Sequence, residues 1–392
     1  MAHEIHIGVD GTARQISRIY IGVGNKARSV KKAYIGVNGK ARLIFSRKLY
    51  IEYSLLTHDL SNAKRSFAAG SIRNYAIFAG GMGASTSTRY SSVDAYDSSY
   101  IKSTPTSLSY PTSSIAGASI DRYMIAAGGY NSNGYSKIVT SYNSSLTKQT
   151  LANLQSARSM PCGCGSNKFG IIIIAGGQTG TNSKSNAVDA FDSNMTKTTL
   201  PVLSVARSSL GGATVGDKIL FAGGYGSTSS PYRSAVDAYD TLTLTRTILS
   251  PLSEARDTLG TASTTKYAIF AGGATSKGEN NPSAVIDYYD ATLTRNASPK
   301  SLQTGRYFLA GGSVNEYALF GGGKQGQKYN NKIEIFDEDL VYVDYSIMSP
   351  RSSFSTAKVG NSLLFAGGSN GNNSVGKDIE VVTISDNRPD DW

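Results

Sequence analysis

Seven Gly-Gly pairs, each at the end of a run of apolar β-forming residues, recur along the chain at nearly constant spacing. Successive pairs are separated by 48, 48, 47, 49, 50 and 45 residues. A fixed period of this length is typical of proteins built from repeated supersecondary units, so it constrains the fold before any single residue does. The pairs are Gly80-Gly81, Gly128-Gly129, Gly176-Gly177, Gly223-Gly224, Gly272-Gly273, Gly322-Gly323 and Gly367-Gly368.

Each repeat contains four short β-forming runs separated by turn residues. The fourth repeat, for example, reads RSSLGGATV, GDKILFAGG, AVDAYD and TLTRTILSPLSEA, with a Ser/Gly-rich loop after the glycine pair. This length suits a four-stranded antiparallel meander, and meanders repeated around an axis form the blades of a β-propeller. We therefore predict an all-β protein with a seven-bladed propeller.

The two ends of the repeat region predict how the propeller closes. The last repeat supplies three strands and stops after DIEVVTIS, residues 378–385, so its fourth strand is missing. A spare strand, KLYIEYSLL at residues 48–56, stands directly before the first repeat. We expect this strand to complete the last blade, because pairing the two ends leaves no exposed strand edge.

A shorter repeat occupies the first part of the chain. The tripeptide IGV recurs every 14 residues, and each copy is followed by a two-residue turn and a return strand such as KARSV or KARLI. Asp-Gly and Asn-Gly turns favour β-hairpins because both residues accept positive φ. Residues 1–46 are therefore predicted to form a β-hairpin repeat domain, and residues 47–392 the propeller.

The basic character of the chain is concentrated in this hairpin region. The formal net charge is +11, and the first 50 residues contribute ten Lys/Arg against two acidic residues, a net +8. These cations recur at strand positions without interleaved aromatic residues, which favours a solvated or protein-docking face over nucleic-acid binding. The sequence shows no secretory signal pattern and no apolar stretch of roughly 18 residues, so we expect no membrane insertion.

The long repeats resemble Kelch repeats, which combine an apolar strand, a Gly-Gly pair, a loop and a later aromatic residue. The Trp that is typical of the fourth Kelch strand is absent, since the only Trp is Trp392. The aromatic residues of the Kelch-like repeats are Tyr96, Tyr142, Phe191, Tyr239, Tyr289 and Phe336.

The YIGVNGKAR-type hairpins of residues 1–46 resemble a module of tail and other structural proteins in phages and prophages of Gram-positive bacteria.

Catalytic chemistry finds little support in the sequence. The three histidines, His3, His6 and His58, precede the repeats, which therefore lack a histidine for a catalytic triad or for the copper centre of galactose-oxidase-like propellers. Cys162 and Cys164 stand in a PCGCG run without nearby histidines, which argues against zinc and favours small packed side chains. We expect no catalytic residues, no metal and no cofactor.

Charged residues recur with the same period as the glycine pairs. A cation opens every repeat except the second, which has Thr112, and a carboxylate lies in every third strand except the second repeat's, which has Thr140. The joint loss favours buried ion pairs, because an unpaired buried charge is costly. The alternative is a ring of arginines around the central channel that binds an acidic ligand. The cations are Lys64, Arg158, Arg207, Arg256, Arg306 and Arg351, and the carboxylates are Asp94, Asp189, Asp237, Asp287, Glu334 and Glu380.

The loops after the glycine pairs are rich in Ser, Asn, Gly and Tyr. Tyrosine provides a rigid amphipathic surface and Ser and Asn provide adaptable hydrogen bonds, so such loops on a rigid scaffold favour binding. Sugars suit this chemistry because they stack on aromatic rings and hydrogen-bond to amides. Ordinary solvated loops are the alternative. The candidate ligand-binding residues are Tyr90, Tyr130, Tyr135, Tyr225, Tyr232 and Tyr329.

Together these features predict a structural protein of a phage, prophage or phage-tail-like particle, made in the bacterial cytoplasm and acting outside it. Residues 1–46 are expected to dock onto other particle proteins, and the propeller to bind a host-surface polysaccharide without turnover. A homo-oligomer is one expected assembly, since fibre and baseplate proteins are often symmetric. The alternatives are a purely structural decoration protein without a ligand and a glycan-active enzyme that uses carboxylates.

Overall fold

The computed structural model describes residues 50–226, 231–276, 278, 280–297, 301–371 and 374–385, together with six short strands before residue 47. Every regular element among these residues is a β-strand. No helix in this part of the chain is therefore long and apolar enough to cross a membrane. The chain divides into two units, of which Tyr53–Val381 form one and the strands before residue 47 belong to the other.

The strands before residue 47 pair as three antiparallel hairpins, in agreement with the 14-residue repeat. The predicted two-residue turn between the two strands of each hairpin lies outside the described residues. The pairs are His6–Val9 with Thr12–Gln15, Ile19–Val23 with Lys26–Val30, and Lys32–Val37 with Lys40–Ser46.

Seven four-stranded antiparallel sheets form the blades of a β-propeller, which confirms the predicted fold class. Blades 1 to 3 comprise Ala68–Ile72, Tyr75–Ala79, Val93–Asp97 and Lys102–Ser103; Ala116–Ile120, Tyr123–Ala127, Val139–Asn143 and Lys148–Thr150; and Cys162–Ser166, Ile171–Ala175, Val188–Phe191 and Lys197–Thr199. Blades 4 to 6 comprise Gly211–Val215, Lys218–Ala222, Val236–Asp240 and Arg246–Leu249; Gly260–Ser263, Ala268–Ala271, Ile286–Tyr289 and Arg295–Ala297; and Ala310–Val314, Tyr317–Gly321, Lys332–Phe336 and Tyr342–Ile347.

Blade 7 closes the ring as predicted. Ser355–Val359, Ser362–Ala366 and Ile379–Ser385 supply three strands, and Tyr50–Leu55 supplies the fourth by pairing with Ile379–Ser385. Immediately after this strand, the Leu56 N–H donates to the Ile379 carbonyl over 2.9 Å. The sheet edge that blade 7 would otherwise expose is therefore covered by a segment from the start of the repeat region.

The core lies between neighbouring blades. The second strands are buried at every residue, as in Ile171–Ala175, or at every residue but the first, as in Tyr75–Ala79, because both faces of a blade pack on other blades. Ile125 of blade 2 and Ile172 of blade 3, for example, belong to one buried apolar cluster. The third-strand aromatic residues are fully buried, and the Tyr142 hydroxyl donates to a main-chain carbonyl over 2.7 Å, which satisfies its polar atom.

The hairpin between the third and fourth strands has the same turn in blades 1, 2, 3, 5 and 6, whereas the turn in blade 4 is one residue longer. In blade 3 the Asp192 carboxylate accepts the N–H groups of Asn194 and Thr196, each over 2.9 Å. Met195 then adopts a left-handed conformation, with φ of 62°. This turn fixes where the fourth strand begins. In four blades a cation near the start of that strand contacts the buried carboxylate of the third strand, as described below.

Candidate functional site

The glycine pairs form the seams between blades. In all seven, the second glycine donates its N–H over 2.7 to 2.9 Å to the carbonyl of the residue that opens the next blade. The bond from Gly368 to Lys64 joins blade 7 to blade 1. The same carbonyls lie only 2.4 to 2.7 Å from where a Cβ on the first glycine would stand, and both glycines have positive φ. The two recurring positions are therefore occupied by glycine, because no side chain fits at the seam.

A closed ring of main-chain hydrogen bonds runs through all seven blades. Two positions after each blade-opening residue, a non-glycine residue adopts φ between 49° and 56°. Each donates its N–H over 2.8 to 3.3 Å to the carbonyl of its counterpart in the preceding blade, and the circuit closes from Ser66 to Ser353. The seven residues are Ser66, Ser114, Met160, Ser209, Thr258, Phe308 and Ser353.

The structure brings the predicted cations and carboxylates together, one pair in each blade except blade 2. None of these side chains is more than 3 % exposed. An acidic ligand in the channel would therefore have no access to the cations. The nitrogen–oxygen distances are 3.0 Å for Lys64–Asp94, 2.8 Å for Arg158–Asp189, 2.8 Å for Arg207–Asp237, 2.7 Å for Arg256–Asp287, 2.5 Å for Arg306–Glu334 and 2.9 Å for Arg351–Glu380.

Main-chain groups complete each ion pair. In blade 1 the Ser61 N–H donates to the Asp94 carboxylate over 3.0 Å, and the Lys64 ammonium donates to the Phe78 carbonyl over 3.4 Å. Burial acts to raise the pKa of Asp94, but Lys64, Ser61 and Lys102 together hold that pKa below its ordinary value. Burial lowers the pKa of Lys64 against the opposing effect of Asp94. The carboxylate is thus held as an ion by several donors at once.

A second cation, which sequence reasoning missed, reaches the carboxylate from the fourth strand in four blades. Each of these residues follows its carboxylate by eight or nine positions, a recurrence that was readable in the sequence. The carboxylate therefore lies between an inner, fully buried cation and an outer, partly exposed one. The distances are 3.1 Å for Lys102–Asp94, 3.0 Å for Lys197–Asp189, 3.8 Å for Arg246–Asp237 and 3.1 Å for Arg295–Asp287.

Blade 2 replaces the ion pair with two small hydroxyl side chains. Thr112 and Thr140 are buried and line a cavity of about 10 Å³, room for one water molecule at most. Lys148, the counterpart of the second cation, donates instead to the Ser107 carbonyl over 2.7 Å and to the Ser109 hydroxyl over 3.2 Å. The fold therefore tolerates the loss of the pair when both members are lost.

The loops after the glycine pairs stand on the face where the first strands begin. In every blade the first loop residue forms a β-bridge or strand pair with the residue after the blade-opening position, as Tyr130 does with Ser113. Three of these loops contain two-stranded ribbons. The ribbons are Tyr130–Asn131 with Gly134–Tyr135, Lys324–Gln325 with Lys328–Tyr329, and Ser369–Gly371 with Ser374–Val375.

Four of the six candidate tyrosines meet as two edge-to-face pairs. Tyr130 and Tyr135 of blade 2 have ring centroids 5.3 Å apart, and Tyr225 and Tyr232 of blade 4 have centroids 5.9 Å apart. Such pairs are favourable because the positive edge of one ring meets the negative face of the other. Each pair therefore presents a preorganised aromatic surface.

Cations from adjacent loops cover one ring of each pair. The Arg89 guanidinium of blade 1 lies 5.0 Å from the Tyr130 centroid, and the Lys184 ammonium of blade 3 lies 5.6 Å from the Tyr225 centroid. Burial lowers the pKa of Lys184. Neither cation has a carboxylate partner within the part of the chain that the structure describes.

Gln178 connects the two halves of this surface. Its Nε2 lies 3.5 Å from the Tyr135 hydroxyl, and its main chain bridges to Lys184. The result is a continuous series of contacts across blades 1 to 4, here called the tyrosine arc. Its members are Arg89, Tyr130, Tyr135, Gln178, Lys184, Tyr225 and Tyr232.

The other two candidate tyrosines lie apart from the arc. Tyr329 is in blade 6, and its hydroxyl is 3.5 Å from the Ser369 hydroxyl of blade 7. Tyr90 is partly buried beside Gly83 in the blade 1 loop. No hydrogen bond, ring pair or cation–π contact among the described residues joins either ring to the tyrosine arc.

The remaining candidates for chemistry are separate from one another. Cys162 and Cys164 lie on the first strand of blade 3, where they pack against Gly212 of blade 4. Burial raises the pKa of both thiols, which disfavours the reactive thiolate. His58 is exposed. In the described part of the chain, no three His, Cys, Asp or Glu side chains are grouped to hold a metal ion.

Asp257 of blade 5 is a buried carboxylate whose pKa is raised. Its side chain accepts a hydrogen bond from the Thr258 hydroxyl over 3.2 Å, and the residue is 8 % exposed. Burial raises its pKa to about 6, although Thr258 opposes that shift. The folded protein therefore binds this proton more tightly than the unfolded chain, where an aspartate titrates at about pH 4.

We expect Asp257 to contribute up to about 3 kcal/mol of stability that is present below about pH 4 and is lost as the pH rises to about 6, because the folded state must give up a favourably bound proton. Asp257→Asn should remove this contribution and be the more stable protein at neutral pH. Urea denaturation at several pH values measures it. Asp121→Asn, which alters a carboxylate with 54 % side-chain exposure, is the control and should keep the wild-type slope. An unchanged slope in Asp257→Asn would contradict the assignment.

A scan against known protein families finds no match to this chain, and a search of curated protein sequences finds no similar protein. The class that the geometry defines is a seven-bladed β-propeller whose blades are joined by glycine seams. Its most developed surface for a ligand is the tyrosine arc.

Proposed function

We propose that this chain is a structural protein of a phage or phage-tail-like particle and that its propeller binds a host-surface polysaccharide. The observation that supports it most is the tyrosine arc, in which two aromatic pairs alternate with Arg89 and Lys184. Aromatic faces accept the C–H faces of sugar rings, and the cations and Gln178 supply hydrogen-bond donors. Because the arc extends over four blades, it suits an extended chain better than a single sugar.

Binding without turnover is the mechanism we favour. The carboxylates of the repeat are at most 1 % exposed and are engaged by cations, so they are poorly placed to act on a glycan. The glycine seams and the buried third-strand aromatic residues support an assignment of the blades as divergent Kelch repeats. A rigid scaffold with variable loops is a common arrangement for recognition.

The hairpins before residue 47 are the proposed docking element. The eight Lys/Arg against two acidic residues in residues 1–46, and the resemblance of these hairpins to phage structural modules, support this role. Electron microscopy of particles assembled with the full chain or with a chain that lacks residues 1–46 tests it. Deletion of residues 1–46 should abolish incorporation into the particle, whereas assembly of the truncated protein would contradict the proposal.

Replacing Tyr130 and Tyr225 together by alanine should weaken binding to Gram-positive cell-wall polysaccharide at least tenfold, because one ring of each aromatic pair is lost. The full chain and its variants are compared on a glycan array and on whole cells. Tyr288→Ala is the matched control, since Tyr288 forms an edge-to-face pair with Tyr267 in blade 5, away from the arc.

Four outcomes separate the proposals. Loss of binding in the double variant alone supports the arc as the site. Equal binding by the double variant and the wild type would place the ligand elsewhere on the propeller. Failure of the wild type to bind any polysaccharide or cell would favour the decoration protein without a ligand, and release of sugar fragments would favour an enzyme.

A further inference from the structure

A polar cavity of about 240 Å³ lies among the first strands of blades 5, 6, 7 and 1. Its wall contains five hydroxyl side chains and one ammonium group, and none of its lining residues, all within the described chain, is acidic. The remaining lining residues are small or apolar. The polar lining residues are Ser71, Thr261, Ser263, Ser313, Thr356 and Lys358.

Three of these hydroxyls accept main-chain N–H groups from a neighbouring blade. Ser71 accepts the Lys358 N–H over 2.6 Å, Ser263 accepts the Thr214 N–H over 2.8 Å, and Ser313 accepts the Ser263 N–H over 2.9 Å. No residue in the described chain accepts the hydroxyl proton of any of the three serines. Since a hydroxyl carries one donor as well as its acceptor sites, each proton is available to a ligand.

Lys358 gives the cavity its charge. The equivalent first-strand positions in the other blades hold only small uncharged residues: Ser71, Ser119, Gly165, Thr214, Ser263 and Ser313. Lys358 has no carboxylate partner within the described part of the chain. Burial lowers the pKa of its ammonium group, a sign that the charge is incompletely compensated.

We propose that this cavity binds a small tetrahedral oxyanion, such as a phosphate or sulfate group, between the Lys358 ammonium and the hydroxyls of Ser71, Ser263 and Ser313. Oxyanions accept several hydrogen bonds at once, and charge-assisted bonds from an ammonium group are the strongest of them. A ligand here would also bridge blades from both sides of the closure between blade 7 and blade 1. This site is independent of the tyrosine arc and of the polysaccharide proposal.

Equilibrium dialysis of the full chain against inorganic phosphate, with chloride holding the ionic strength constant, tests the proposal. We expect saturable binding of one phosphate per chain and at least tenfold weaker binding by Lys358→Met. Lys168→Met removes one positive charge from an exposed turn and should bind phosphate as the wild type does. Sulfate should compete with phosphate, whereas chloride should not.

Two further variants keep the test decisive. If Lys358→Met does not fold, Lys358→Gln retains a polar side chain and should show the same loss. Ser263→Ala with Ser313→Ala should weaken binding while the charge is unchanged. Tighter binding of glycerol phosphate than of inorganic phosphate would assign the oxyanion to a larger ligand, and the reverse would assign it to the free ion. Retained binding in the Lys358 variants, or uptake that never saturates, would overturn the proposal.

Discussion

Glu334→Ala should lower the free energy of unfolding by about 3 to 5 kcal/mol, because it strands the Arg306 guanidinium inside blade 6. Both side chains are 0 % exposed, and their nearest nitrogen and oxygen are 2.5 Å apart. The substitution also removes the acceptor for the Gln303 N–H, which donates to the carboxylate over 3.0 Å. Urea denaturation followed by circular dichroism measures the change.

Blade 2 provides the control, because it carries Thr112 and Thr140 in place of the pair. Arg306→Thr with Glu334→Thr copies that arrangement into blade 6 and should cost less than Glu334→Ala alone, since no charge is left unpaired. Thr140→Ala should change stability by less than about 1.5 kcal/mol, the loss of at most one ordinary hydrogen bond. A double variant as unstable as the sum of its single variants would show that the two groups act independently.

Gly176→Ala should destabilise the propeller by about 3 kcal/mol or more. The glycine has φ of 65°, where an L-residue costs about 1 to 2 kcal/mol, and its new Cβ would meet the Arg207 carbonyl. Overpacking against a carbonyl that cannot rotate away adds about 1 to 3 kcal/mol. Thermal and urea denaturation of the purified variant measure the loss.

Gly180→Ala is the matched control in the loop that follows. The nearest atoms to a Cβ there belong to Ser183 at 3.5 Å, which is ordinary contact. This variant should fall within about 1 kcal/mol of the wild type, since it lacks the clash. Equal losses at both positions would mean that the seam does not depend on the close approach of the two blades.

The features that the sequence predicts well are those in which the backbone dictates residue type. Only glycine fits where Gly176 meets the Arg207 carbonyl, so the seam appears in the sequence as glycine pairs at nearly constant spacing and the seven blades can be counted. Closure by the strand at Tyr50–Leu55 was predictable because the last repeat visibly lacks a strand. The ring of seven left-handed residues was not predictable, since Ser, Met, Thr and Phe all occur at that position.

The candidate site was only partly predictable, because composition identifies tyrosines but not which rings meet. Tyr130 and Tyr329 both stand in Tyr-bearing ribbons, yet only Tyr130 contacts the neighbouring loop's arginine. That difference depends on the loops of adjacent blades, which are far apart in sequence. The outer cations, by contrast, were missed although Lys102 and Lys197 each follow a carboxylate by eight residues.

The circuit that runs from Ser66 through every blade to Ser353 has no first and no last peptide group. In an α-helix, aligned peptide dipoles add up to opposite partial charges at the two ends. Bent into a loop that closes on itself, with every N–H directed the same way round, the components of the dipoles along the ring cancel. The circuit thus has no open end at which an unpaired N–H or C=O group would carry a partial charge, and the formal charges of the loop surface come from side chains such as Arg89 and Lys184.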